Sequence, residues 1–311
     1  MRLLICLLAG TAVLGAADLR LGIVGTDTSH AVAFTSLLND PNNKDHLPGA
    51  RVVAAYKGGS PDVKESRERV DKFADELRGK YGVEIVPDIT TLLTKVDAVL
   101  LESVDGRPHL AQFREIAKGR KPVFIDKPLA STLADAREIA RIGRANNIKW
   151  FSSSSLRFSE GLPALRLPGL NGAIAWGPSP FEEHHQLDLS WYGIHTVELL
   201  YALLGTGCEE VTRTVTPDAD VITGRWKDGR LGTVRLHRPY SAFGATAFSP
   251  KTIQSSGKEL YTGYKGLVEE ILKFFQGGKS PVDENETMEI FAFMDAAQRS
   301  KESGGVPVKL R

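Results

Sequence analysis

Short apolar runs alternate with segments of helical periodicity over the first half of the chain, and this alternation restricts the fold more than any other feature. Residues 19–25 read as a buried strand, followed by a turn and a helix from about residue 30 to 38. Residues 51–56 form a second apolar, β-branched strand. Residues 62–81 read as a long charged helix whose Val63, Val70, Phe73 and Leu77 fall roughly on one face. Residues 83–86 are a short strand, residues 88–91 open a short helix, and residues 96–101 are a strongly apolar strand. A helix near residues 109–119 leads into the strand 123–126. Ser131/Thr132 then cap a helix over 133–145, and a strand follows at 148–151. Strands separated by helices imply right-handed βαβ crossovers and a parallel sheet.

The pattern changes after about residue 150. Residues 173–176, 211–215, 221–226 and 232–237 read as strands, with Asp228-Gly229 as a hairpin signal between the last two. Helices are expected over 194–204, 266–275 and 287–303. Strands joined by hairpins, with helices grouped apart from them, point to an α+β unit on a mostly antiparallel sheet. The expected class is therefore α/β, a Rossmann-type parallel sheet followed by an α+β domain with an open, mostly antiparallel sheet.

Charge narrows the range of partners. The 311 residues carry 39 Lys+Arg against 38 Asp+Glu, so the chain lacks the basic excess of a nucleic-acid binder. Two cysteines cannot form a disulfide scaffold or a four-thiolate zinc site. A small molecule is the expected partner.

Met1-Arg2, the apolar run 3–13 and the small residues before Asp18 form the three-part pattern of a Sec-type signal peptide, cleaved after Ala17. An N-terminal core strand or an uncleaved anchor is the alternative, although the run is short for a span of about 20 residues. The expected organisation is a leader over 1–17, a dinucleotide-binding domain over 18–150 and a substrate and oligomerisation domain over 151–311. The mature protein would be periplasmic or extracellular, with no stable membrane span and a homo-oligomeric assembly through the C-terminal sheet.

The run Gly119-Arg120-Lys121-Pro122-Val123-Phe124-Ile125-Asp126-Lys127-Pro128-Leu129-Ala130 resembles the Gly-Lys-…-Glu-Lys-Pro-Leu-Ala signature of the Gfo/Idh/MocA oxidoreductases. Val96-Asp97-Ala98-Val99 with His109, the helix start Gly193-Ile194-His195 and the C-terminal Gly304-Gly305-Val306-Pro307-Val308 extend the resemblance. It implies NAD or NADP in the first domain, a sugar or polyol against the second, and hydride transfer coupled to movement of a hydroxyl proton. On this resemblance Lys127 and His195 are the expected catalytic residues. Gly25, Thr26, Thr28, Ser29, Lys57, Ser103 and Asp126 are expected at the cofactor. His109, Arg157, His184, Asp188, Trp191 and Tyr192 are expected at the substrate.

The departures from the family pattern cluster at the cofactor. Gly-x-Gly-x-x-Gly/Ala becomes Gly25-Thr26-Asp27-Thr28-Ser29-His30, so a carboxylate stands at the second glycine and an imidazole at the third position. Repulsion of a pyrophosphate and a local capping role are both open to Asp27 and its neighbours. No acid follows the second strand. Lys57 and Ser60 stand there instead, which favours NADP over NAD unless the turn is merely solvated. Trp191 stands where the family's catalytic aspartate would fall. Glu182, Glu183, His184, His185, Asp188 and His195 match no zinc spacing, and a polar substrate wall is expected there rather than a metal. Two functions remain, an exported NAD(P)-dependent sugar or polyol oxidoreductase and a carbohydrate-binding pseudoenzyme of the same fold. NAD-assisted glycoside hydrolysis is a variant of the first.

Overall fold

Six strands and five helices alternate from Leu19 to Ser153 in the computed structural model. The structure describes residues 18–257 and 259–311, so the expected signal peptide lies outside the described residues. The elements are β1 (Leu19–Val24), α1 (Ser29–Asn39), β2 (Ala50–Tyr56), α2 (Lys64–Tyr81), β3 (Glu84–Val86) and α3 (Ile89–Leu93). They continue with β4 (Ala98–Leu101), α4 (His109–Ala117), β5 (Val123–Asp126), α5 (Leu133–Ala145) and β6 (Trp150–Ser153). All six strands pair in parallel, in the order β3-β2-β1-β4-β5-β6. The strand order reverses between β1 and β4, and the crevice above that switch point is where open parallel sheets take ligands.

Local chemistry fixes the helix ends. The Thr28, Asp88 and Thr132 side chains accept backbone N–H bonds at the starts of α1, α3 and α5. Helix α2 begins at Lys64, two residues later than the sequence suggests, and stops at Gly82 in the left-handed conformation.

The second half contains β7 (Gly172–Pro178), α6 (Gly193–Leu204), β8 (Cys208–Val215), β9 (Ala219–Trp226), β10 (Leu231–His237), β11 (Gly244–Phe248) and β12 (Ile253–Ser255). Helices α7 (Lys265–Phe275) and α8 (Glu284–Glu302) and the short β13 (Val308–Lys309) complete it. The seven strands lie in the order β12-β11-β7-β10-β9-β8-β13, antiparallel throughout except for the parallel β7–β10 pair. The expected α+β class is found. Strands β11, β12 and β13 carry no clear signal in the sequence, because β11 is built of small residues and the other two are two or three residues long. Among the described residues, no helix is long and apolar enough to cross a membrane.

Helix α7 crosses back to the first sheet. Its Leu267, Val268, Ile271, Leu272, Phe274 and Phe275 share a core with Phe34, Phe124 and Phe151, and the Phe151 and Phe274 rings meet edge to face at 5.0 Å.

A second junction joins the loop after β4 to the segment before α6. His185 Nε2 lies 3.1 Å from Asp105 Oδ1, and both side chains are fully buried. Arg107 bridges Asp105 and Asp62, while Trp191 packs against Val63 and Val104. Burial alone would raise the Asp105 carboxyl, but hydrogen bonds from His185 and Arg107 outweigh it and hold the group far below the ordinary carboxylate range. Asp105 therefore contributes stability that is fully present above the unfolded-chain value of about 3.9 and is lost as pH falls below it. Asp105→Asn is expected to lower stability at pH 7 by about 3 kcal/mol. The gap from the unaltered protein should narrow as thermal melts are repeated at pH values falling below about 4. An equal gap at all pH values would contradict this account.

Candidate active site

The crevice above the switch point is walled by the first turn of α1, the ends of β4 and β5, and the segment leading into α6. A cavity of about 530 Å³ is lined there by Ser29, His30, Arg69, Lys127, Trp191 and Tyr192, among others. A smaller one of about 180 Å³ shares Ser29, His30, Lys127 and Tyr192 and adds His195, Tyr240, Phe243, Tyr261 and Tyr264. The shared residues form the partition between the two.

Lys127 follows the last residue of β5, where the strand delivers it to the crevice. It is 7% exposed, and its ammonium lies 5.6 Å from the centre of the Tyr192 ring. Burial pulls its pKa below the ordinary lysine value, against the opposing pull of Asp126 and Glu102. His195 stands on the first turn of α6, and its Nδ1 lies 2.7 Å from Ser154 Oγ just past β6. Burial, then Lys127 and His30, push His195 well below the usual histidine range, so its ring is neutral at pH 7.

Two residues at this site were not anticipated from the sequence. His30, read only as a departure from the glycine pattern, lines both cavities, and its Nδ1 lies 2.6 Å from Asp126 Oδ2. Glu102 follows β4 directly and is fully buried beneath the crevice. Burial and the neighbouring Asp126 raise its carboxyl well above the ordinary range. The signal for both was their place in the topology, since each sits where a parallel strand or its following helix meets the crevice.

The other expected cofactor residues are distributed unevenly. Ser29 lines both cavities and Thr28 the larger one, where its side chain also accepts from His30 N. Thr26 turns inward and donates to Val70 O. Ser103 donates to Gln112 Oε1 and presses its backbone against Gly25, where a Cβ would come within 2.3 Å of Ser103 N. Gly25 has φ +97°, so both its conformation and this close approach require glycine. Lys57 pairs with Asp71 at 2.7 Å, on the surface, beside a separate cavity of about 420 Å³ bounded by Tyr56, Gly58 and residues 85–87.

Asp27 is buried, and it connects elements. One oxygen accepts from Ser66 Oγ on α2 at 2.6 Å and the other from Val104 N after β4 at 3.1 Å. Burial raises its carboxyl above the ordinary value, against these bonds. A carboxylate at the second-glycine position thus ties the β1–α1 turn to α2 and to the loop after β4.

Several expected substrate residues lie away from the cavities. The His109 ring is buried between the carbonyl oxygens of Ser103 and Leu129. Arg157 is held by Glu198 and Glu286 at 2.6–2.7 Å. Asp188 is bound by Arg213 and Lys301, and His184 turns to Glu182 at 2.7 Å. Each was placed at the substrate from its charge or its position near the motif, but a buried charge or polar ring is first claimed by the nearest internal partner. Trp191 and Tyr192 do line the crevice.

Residues 19–152 match the family model described as "Oxidoreductase family, NAD-binding Rossmann fold". No curated protein sequence matches the chain. Similar solved structures include a probable dehydrogenase from Thermotoga maritima, at 21% identity and TM-score 0.74, over 94% of this chain and 99% of that one. Myo-inositol dehydrogenase from Lactobacillus casei, solved with NAD(H) and myo-inositol, is 18% identical with TM-score 0.72, over 95% and 97%. Myo-inositol 2-dehydrogenase from Lactobacillus plantarum is 14% identical with TM-score 0.75, over 95% and 100%. These likenesses span both halves and agree on the fold. The match to the Gfo/Idh/MocA family model thus runs from the strand ending at the Gly25 turn through the Asp126-Lys127-Pro128 corner, and over the rest of the chain the likeness to the solved structures is one of fold.

Proposed function

We propose that the chain is an oxidoreductase interconverting a hydroxyl and a carbonyl on a small polyol or sugar, with Lys127 and His195 managing the hydroxyl proton. The observation that carries this reading is the convergence of both side chains on one enclosed space at the family's Lys-Pro corner. Burial disfavours the charged form of both side chains, which biases each toward the neutral nitrogen that can accept a hydroxyl proton. Ser154 Oγ fixes the orientation of the His195 ring. Tyr192, Tyr240, Tyr261 and Tyr264 supply aromatic faces with hydroxyl tips, a surface suited to the apolar and polar sides of a sugar ring.

A nicotinamide dinucleotide, when bound, supplies the hydride acceptor or donor. The fit to such a group differs along its length. Ser29 and Arg69, beside the first turn of α1, would hold phosphate, and Lys57 would meet a 2′-phosphate by releasing its exposed pair with Asp71. The pyrophosphate's approach to the second-glycine position meets Asp27 and its closed contacts with Ser66 and Val104 N. That closure favours the second reading, a polyol-binding protein of the same fold without redox turnover.

Titration of the folded protein with NADH and NADPH, followed by nicotinamide fluorescence, separates the two readings. The oxidoreductase reading expects saturable binding, stronger for NADPH, and Lys57→Ala should erase that preference. Polyol binding with no saturable signal from reduced or oxidised nucleotide would establish the second reading. Where turnover is found, Lys127→Met should lower it by about 100-fold or more while polyol binding persists. Full turnover in that variant would remove Lys127 from the mechanism. Export belongs to the same proposal and is supported by the basic, apolar and small-residue order of residues 1–17. N-terminal sequencing of secreted protein should begin at Asp18, and an intact Met1 would refute it.

A further inference from the structure

We infer that His30, Glu102 and Asp126 form a binding site for one divalent transition-metal cation at the floor of the crevice. The three side chains come from separate elements, the first turn of α1 and the ends of the adjacent parallel strands β4 and β5. One ligand atom from each lies within 4.8 Å of the other two. Zinc-type bonds of about 2.0–2.2 Å set tetrahedral ligand atoms about 3.4 Å apart, so closing the set needs side-chain rotations that draw Glu102 inward and part the 2.6 Å His30 Nδ1–Asp126 Oδ2 contact.

Glu102 points to a missing ligand. Both of its carboxylate oxygens are buried without a hydrogen-bond partner, and Asp126 Oδ1 beside it is likewise unpartnered. The other fully buried acids among the described residues each meet a donor. Asp27 has Ser66 and Val104 N, Asp105 has His185 and Arg107, Glu198 has Arg157, and Asp220 has Arg213 and Arg238. The Lys127 ammonium acts on Glu102 and Asp126 through its charge, but it gives neither Glu102 oxygen a hydrogen bond. An uncompensated buried carboxylate is strongly unfavourable. One proton shared between Glu102 and Asp126 would serve a single oxygen of each, whereas a divalent cation would balance both charges and engage the imidazole as well.

The donor set selects the class of ion. Two carboxylates with one imidazole suit zinc, manganese or cobalt better than magnesium or calcium, which take oxygen ligands. His30 is the member that reaches both cavities, so the remaining coordination positions would face the space where a polyol hydroxyl or water can enter. The site stands independently of the proposed redox reaction, because cation binding is measured without turnover.

The test uses the full mature chain, stripped with chelator and titrated with Co²⁺ by visible absorption and calorimetry, then with Zn²⁺ in competition. One equivalent of Co²⁺ per chain, displaced by Zn²⁺, is expected. Glu102→Gln and His30→Gln should each weaken binding at least tenfold, while the exposed control Asp71→Asn leaves it unchanged. Circular dichroism establishes that each variant is folded, and the two site variants guard against loss of either one. Absence of stoichiometric binding by the folded protein would overturn the inference. So would unchanged affinity in both site variants, or a protonated-carboxyl infrared band that persists at saturating metal and disappears in Glu102→Gln.

Discussion

The Asp27 carboxylate is the constraint from which the rest of the crevice follows. It stands where the glycine pattern would leave room for a phosphate, and it ties the β1–α1 turn to α2 through Ser66 and to the loop after β4 through Val104 N. With those three segments drawn together, Ser103 presses on Gly25 and the loop 102–108 is delivered to the second half of the chain. There Asp105 meets His185, and Val104 meets Trp191. Open space is then left on one side of the switch point, around His30, Lys127 and Tyr192. A charge that would repel a ligand at the surface has become an internal connector.

The parallel sheet was legible because its strands are short, apolar and separated by helices with clear periodicity. Lys127, Tyr192 and His195 were legible as well, since a strand end and a helix start bring them to the crevice whatever their neighbours do. The internal charge network was not legible. Arg157 and Asp188 have the chemistry of ligand contacts, but their partners Glu198, Glu286, Arg213 and Lys301 lie far along the sequence or on other elements, and only the fold shows them to be already engaged. His30 and Glu102 were overlooked for the opposite reason. His30 reads only as a departure from the glycine pattern, Glu102 belongs to none of the motifs singled out, and their proximity depends on a strand register that spacing does not report.

The acids of the second half illustrate how the chain handles buried charge. Arg213, with no exposed side-chain surface, is held by Asp188 and Asp220, and Arg238 and Lys301 complete the set. Such networks contribute little net stability relative to apolar packing but cost several kcal/mol when one member is removed. They hold the segment before α6 in place, and with it Trp191 and Tyr192. Substitutions there would reach the crevice through loop position, without touching a ligand.

Helix α7 has a consequence for how the molecule is assembled. Residues 265–275 supply part of the apolar core beneath Phe34, Phe124 and Phe151, so the face of the first sheet that carries α1 stays incomplete until most of the chain has been synthesised. The two halves are therefore not independent folding units joined by a linker. Final consolidation is a late event that depends on the C-terminal third. A gene fragment ending after β6 would encode every strand of the first sheet and still leave an oily surface open to water and to other chains.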